Sequence, residues 1–140
     1  MRIFPMMAIP VIIYAVLAFG GGVTGHADLA GFMARGVNIR LFSGETWHLG
    51  MSDVLLVIAL VMLFIEIVKA TRTTSREIIN HGLAMVVFVL ALIFFITMRP
   101  FATSTFFLIT AMCLFDVIAG YTISIVAAEH DLGVGRAGTD

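Results

Sequence analysis

At 140 residues, with 61% hydrophobic and 12% charged residues, a formal net charge of −1 and a mean hydropathy of +1.10, the chain lies far outside the soluble norm of roughly half apolar and a quarter charged. It reads as an all-α membrane protein of one domain, with room for four spans of about 20 residues and their connections but not for six. Eight Lys and Arg cannot supply the basic surface that a nucleic-acid partner needs, and the single cysteine, Cys113, excludes an intrachain disulfide.

In chain order, residues 3–22 give the first expected span, an uncharged and mainly apolar run behind Arg2. Ala18 and Gly20 stand where a leader-cleavage site needs small residues, so a cleaved signal peptide is the alternative. Pro5 falls in the first turn, and Pro10 is expected to kink or loosen the helix. Residues 23–50 form the one long stretch of soluble character, punctuated by glycines. Within it, 27–34 is expected as a short amphipathic helix on the membrane surface, with Leu29, Phe32 and Met33 facing lipid. The period-two pattern of 37–41 and the run 46–49, separated by Ser43-Gly44, predict a small hairpin, and Trp47 suits an interfacial anchor.

The second span, 51–70, is expected to start with Ser52 as N-cap and Asp53 in its first turn. It runs into a basic turn containing Lys69, Arg72 and Arg76, which serves topology and lipid headgroups. Thr74-Ser75-Arg76-Glu77 then reads as a capping box for the third span, 78–98. Arg99-Pro100 stops that helix, and the Ser/Thr cluster after it caps the fourth span, 105–127. The remainder, 129–140, reads as a flexible tail. With the 70–77 turn in the cytoplasm, Arg2, Lys69, Arg72, Arg76 and Arg136 lie inside against Arg35, Arg40 and Arg99 outside. The positive-inside rule therefore places both termini in the cytoplasm and the 23–50 loop outside.

Two carboxylates lie within spans. Asp116 is about 11 residues from either end of span four, near the midplane, where a charge costs at least a few kcal/mol and marks a functional site by default. Glu66 is about one turn from the cytoplasmic end and has Lys69 at i+3. His81 enters span three at nearly the same depth, so Glu66, Lys69, Asn80 and His81 can meet at the inner mouth. Cys113, Asp116, Gly120 and Ser124 recur at steps of three and four, a small and polar packing stripe. Two readings stay open. In one, a hydrogen-bonded Asp116 ties helices together; in the other, Asp116 with Glu66 and His81 forms a site for a proton or ion.

No metal site is expected, because His26, Asp28, Glu45 and His48 lack tight ligand spacing, and no motif predicts a cofactor. Nucleophile elbows, phosphate loops and zincin motifs are absent, so no enzymatic activity is expected.

The runs LFIEIVKATRT at 63–73, IINHGLAMVVFV at 78–89 and FATSTFFLITAMCLFDVIAG at 101–120 resemble a family of small, uncharacterised four-span inner-membrane proteins of proteobacteria. The resemblance covers about half the chain and implies a bacterial inner-membrane location and a four-helix fold. It carries over no catalytic role. The functional expectation is a non-enzymatic scaffold or accessory subunit, bound to lipid and to other membrane subunits or to itself through the outer loop and the span-four stripe. The alternative is a small oligomeric proton- or ion-coupled transporter or channel using Asp116.

Overall fold

The three longest apolar stretches fold as helices, since a backbone in hydrocarbon must satisfy its polar groups within its own segment. The computed structural model describes residues 4–20, 26–71 and 75–136, with side chains over 4–19, 28–71 and 79–126. The elements are α1 (Ala8–Gly20), α2 (His26–Met33), β1 (Gly36–Arg40), β2 (Thr46–Gly50), α3 (Met51–Ala70), α4 (Ser75–Thr97), a 3₁₀ turn (Arg99–Phe101) and α5 (Ser104–Arg136). Among the described residues three helices are long and apolar enough to cross a membrane, over Met51–Ala70, Ile79–Thr97 and Ser104–Val126. Chains of this character are membrane proteins.

α5 packs along both α3 and α4, and α1 lies across the groove beside α3 and α5. The outward stripes stay apolar and exposed, with Val57, Phe64 and Val68 on α3 and Phe107, Phe115 and Ile118 on α5. That is the inverse of a soluble bundle and suits a hydrocarbon solvent. Hydroxyls are returned to their own helix: Thr110 Oγ1 donates to the Phe106 carbonyl (2.9 Å), Thr122 to Ile118 (2.7 Å) and Ser124 to Gly120 (2.9 Å). Such back-bonding removes the cost of an unpaired donor.

Two boundaries differ from the sequence reading. The first span, expected over 3–22, is the 13-residue helix α1. Its start is set by Pro5, which has no N–H and takes part in a turn, with Ala8 N–H donating to the Pro5 carbonyl (3.0 Å). At 1.5 Å per residue α1 is about 20 Å long. Pro10 lies inside α1 and is fully buried, tolerated close to a helix start where few backbone bonds are lost. At the other end, the tail expected to be flexible from residue 129 continues α5 as helix to Arg136. Ala127, Ala128 and Glu129 are good helix formers, and Gly133 and Gly135 come too late to stop it earlier. Residues 137–140 lie outside the described part, as does the proposed leader-cleavage region beyond Gly20.

The 23–50 segment holds both a helix and a hairpin, but α2 faces the other way from expectation. Leu29 and Met33 are buried in the core cluster of the bundle instead of facing lipid. β1 and β2 pair antiparallel, with Val37 opposite Leu49, Asn38 opposite His48 and Ile39 opposite Trp47. The connection is a three-residue loop closed by Leu41 N–H to the Glu45 carbonyl (2.8 Å) and Gly44 N–H to the Leu41 carbonyl (3.0 Å). Gly44 has φ +89°, the left-handed position that this loop type reserves for glycine.

β2 passes into α3 with no residue between them. The N-cap is therefore Gly50 and not Ser52, and the Asp53 carboxylate turns back to accept from Gly50 N–H (2.8 Å). Thr103 caps α5, its Oγ1 accepting from Phe106 N–H (3.2 Å). The Thr74–Glu77 capping box lies outside the described side chains.

Between α1 and the start of α5 sits an aromatic knot. Phe101 is fully buried and touches Tyr14, Phe19, Phe94 and Phe106, with ring centroids 4.8–5.6 Å apart. Tyr14 donates its hydroxyl to the Pro100 carbonyl (3.0 Å) and pairs with Thr103 Oγ1 (2.6 Å). Tyr14→Phe is expected to cost about 1 kcal/mol, one net hydrogen bond. Reversible unfolding in mixed micelles reads it, and an unchanged stability shows the hydroxyl adds nothing to the knot.

Candidate functional site

The site begins at the C-terminal end of α3. Glu66 is 1% exposed, one turn before the helix ends, and it collects donors from three directions. Its Oε2 accepts from Lys69 Nζ (3.1 Å) and from the backbone N–H of Met6 (3.1 Å), and its Oε1 accepts from the Asn80 side-chain amide. The Met6 bond explains how α1 can start so late. The first N–H groups of a helix have no partner inside it, and leaving them bare in an apolar interior costs several kcal/mol. A carboxylate at the positive end of the helix dipole satisfies both charge and donor. Lys69, 17% exposed at its side chain, carries the ion pair outward.

Asn80 and His81, on the first described turn of α4, are 3% and 2% exposed. The His81 ring lies against α5 where Gly120 offers no side chain. A methyl group there would meet the ring, lying 2.6 Å from Cε1 and 3.0 Å from Cγ. Tyr121 flanks it, with ring centroids 6.3 Å apart. One turn back along the same face of α5 is Asp116, 2% exposed and within Coulombic range of Glu66 and Lys69. Cys113, also buried, comes one turn beyond, within range of Asp116.

Depth counting places Asp116 alone at mid-membrane and Glu66, Asn80 and His81 apart from it at the mouth. The structure sets His81 against Gly120, one turn along α5 from Asp116, with Asp116 within Coulombic range of Glu66 and Lys69. Four polar atoms here have no hydrogen-bond partner among the described residues: Asn80 Oδ1, His81 Nδ1, His81 Nε2 and Asp116 Oδ2. Buried polar groups are paired in nine cases of ten or more, and an exception needs a reason. Here three side chains on two helices leave buried polar atoms open among the described residues.

The remaining expected residues sort as follows. Cys113 and Gly120 of the packing stripe are enclosed by the chain's own helices, and Ser124 is bonded back to Gly120, so the stripe binds α5 to α3 and α4. Lys69 is committed to Glu66, while the side chains of Arg72 and Arg76 lie outside the described residues. Among the described residues no group of three or more His, Cys, Asp or Glu could hold a metal ion. Asp28, Glu45 and His48 are scattered over α2 and the hairpin, and the His26 side chain is not described. The His48 ring is used structurally, its Nε2 donating to the Ala34 carbonyl (2.9 Å) and its Nδ1 pairing with Asn38 Oδ1 (2.8 Å). Sequence reasoning missed Met6, whose contribution is a backbone N–H, and missed Gly120 as the seat of His81. A glycine facing a histidine across antiparallel helices is the only signal it offered.

Compared with protein-family models, characterised proteins and solved structures, the chain matches none.

Proposed function

We propose that this chain is a four-span bacterial inner-membrane protein, both termini cytoplasmic, that binds and passes protons through the Glu66–Asn80–His81–Asp116 cluster, as a small transporter or channel and not as an enzyme. One observation carries the reading: polar atoms of Asn80, His81 and Asp116 have no partner among the described residues, each on a side chain at most 3% exposed. A cluster that only tied helices together would pair its members, because an open polar atom in an apolar interior costs about 1–3 kcal/mol. Groups that take up and release a proton must keep a lone pair or a hydrogen free.

In this reading Glu66 and Lys69 form the mouth, their mutual neutralisation keeping the entrance from trapping a cation. His81 and Asp116 hold the proton in turn. The aromatic knot around Phe101 closes the other side, so passage requires α1 to move from the 100–103 turn. As part of the same proposal, α1 is the fourth span.

The scaffold reading loses one of its two surfaces, since Cys113 and Gly120 are enclosed, and keeps the outer loop. Native purification in mild detergent tests it: a stoichiometric partner or defined oligomer supports it, a solitary monomer counts against it.

Asp116→Asn tests proton transfer, because it keeps shape and polarity and removes titration. Wild-type protein in liposomes is expected to collapse an imposed pH gradient, read by an entrapped dye, and Asp116→Asn to lose that flux while purifying and unfolding like the wild type. Absence of flux in both proteins, or equal flux in both, overturns the proposal.

A further inference from the structure

The β1–β2 hairpin sorts its side chains by face. Val37, Ile39 and Leu41 of the first strand stand with Trp47 on one side, and Asn38 and His48 pair on the other. On the polar side His48 holds the carbonyl that follows α2, and Asn38 and His48 are themselves exposed. The apolar side is bare: Val37 is 60% exposed, Trp47 49%, and Phe42 at the tip is completely exposed. Val37, Ile39 and Trp47 on the strands, with Leu41 and Phe42 in the connection between them, form a patch of the kind that soluble surfaces avoid.

Its position indicates what covers it. Trp47 is four residues before Met51, the first residue of an apolar window that fills the whole of α3. The hairpin has no linker to carry it away from that helix, so its apolar side is held at the end of α3 where Met51, Val54 and Val57 are exposed. Arg35 and Arg40 bracket β1 and make no ion pair among the described residues. An aromatic and aliphatic face, flanked by cations and fused to the end of an apolar helix, fits the boundary between acyl chains and phosphates. Glu45, opposite Leu41 at the tip edge of the apolar side, and Asp28, on α2, are the exposed acids at this end.

We infer that the apolar face of this hairpin is seated in the headgroup layer of the bilayer, with Trp47 and Ile39 at the acyl boundary and Arg35 and Arg40 on lipid phosphates. The hairpin replaces α2 as the interfacial element, and the inference stands apart from the proton proposal.

Trp47 is the only tryptophan, so its fluorescence reports this face alone. In vesicles of phosphatidylcholine and phosphatidylglycerol, emission is expected to be quenched strongly by lipids brominated near the headgroup and weakly by aqueous iodide. Ile39→Glu should reverse that order, and Thr46→Glu, at a polar-side position, should leave it unchanged. Strong iodide quenching in the wild type, as for a free indole, overturns the inference. So does protection from both quenchers that disappears as protein is diluted into lipid, which assigns the face to a second copy. The wild-type measurement decides even where Ile39→Glu fails to fold.

Discussion

Glu66→Ala is expected to destabilise the folded chain by about 3 kcal/mol, the lower end of what breaking a buried ion pair costs. The lower end applies because Lys69 is not trapped: its side chain is 17% exposed, and its long stem can carry the ammonium out to water. The loss comes mainly from the two donors that cannot follow it. Met6 N–H belongs to the backbone at the start of α1, and the Asn80 amide is held on a buried turn of α4. Each stranded donor costs about 1–3 kcal/mol. Glu66→Gln keeps an acceptor for Asn80 but presents an amide toward Lys69 or Met6, so about half the loss is expected. Lys69→Met placed on Glu66→Gln should recover part of it, since no cation is then left facing an amide. Reversible unfolding in mixed micelles measures all three, and a loss under about 0.5 kcal/mol for Glu66→Ala, the range of surface changes, would show that Glu66 does not hold α1 and α4 together.

The second large effect is expected at Gly120. Gly120→Ala places a methyl group closest to His81 Nδ1 and 3.0 Å from Cγ. Rotation of the ring about its bond to Cβ leaves Cγ in place, so the ring cannot simply turn aside. The helices must separate or the histidine must leave its site, an overpacking cost of about 1–3 kcal/mol. His81→Ala in the same chain should remove nearly all of that penalty, because the atoms in the way are then gone. A double-mutant cycle reads this coupling directly. If Gly120→Ala costs the same with and without His81, the two residues are not in contact and the cluster is not joined at this point.

Much of the architecture follows from patterns visible along the chain. The α3 helix, the stop at Arg99-Pro100, the cap at Thr103 and the hairpin around Gly44 each rest on local signals, namely hydropathy, proline and turn chemistry. The grouping of Glu66, Asn80 and His81 also follows from residue counts on either side of one short turn. Three things do not follow. Leu29 and Met33 are apolar whether they face lipid or protein, so hydropathy cannot tell α2 which way to turn. Depth along one apolar window does not say which level of α5 meets His81, because the approach of α4 to α5 at Gly120 sets that. The late start of α1 depends on a backbone N–H finding a distant carboxylate, and a backbone donor has no side-chain signature.

That short helix has a consequence for the surrounding lipid. As the fourth span proposed above, a helix of about 20 Å falls some 10 Å short of a typical hydrocarbon core, and Met6, just before it, is bonded to Glu66. A bilayer can close such a gap only by thinning or by admitting headgroups and water beside the helix, each at a fraction of a kcal/mol per ångström. Hydration of the Glu66–Lys69 pair is thereby linked to acyl-chain length, with short-chain lipids meeting α1 flush and long-chain lipids drawn down toward the carboxylate. The membrane's thickness becomes, in effect, one wall of the site.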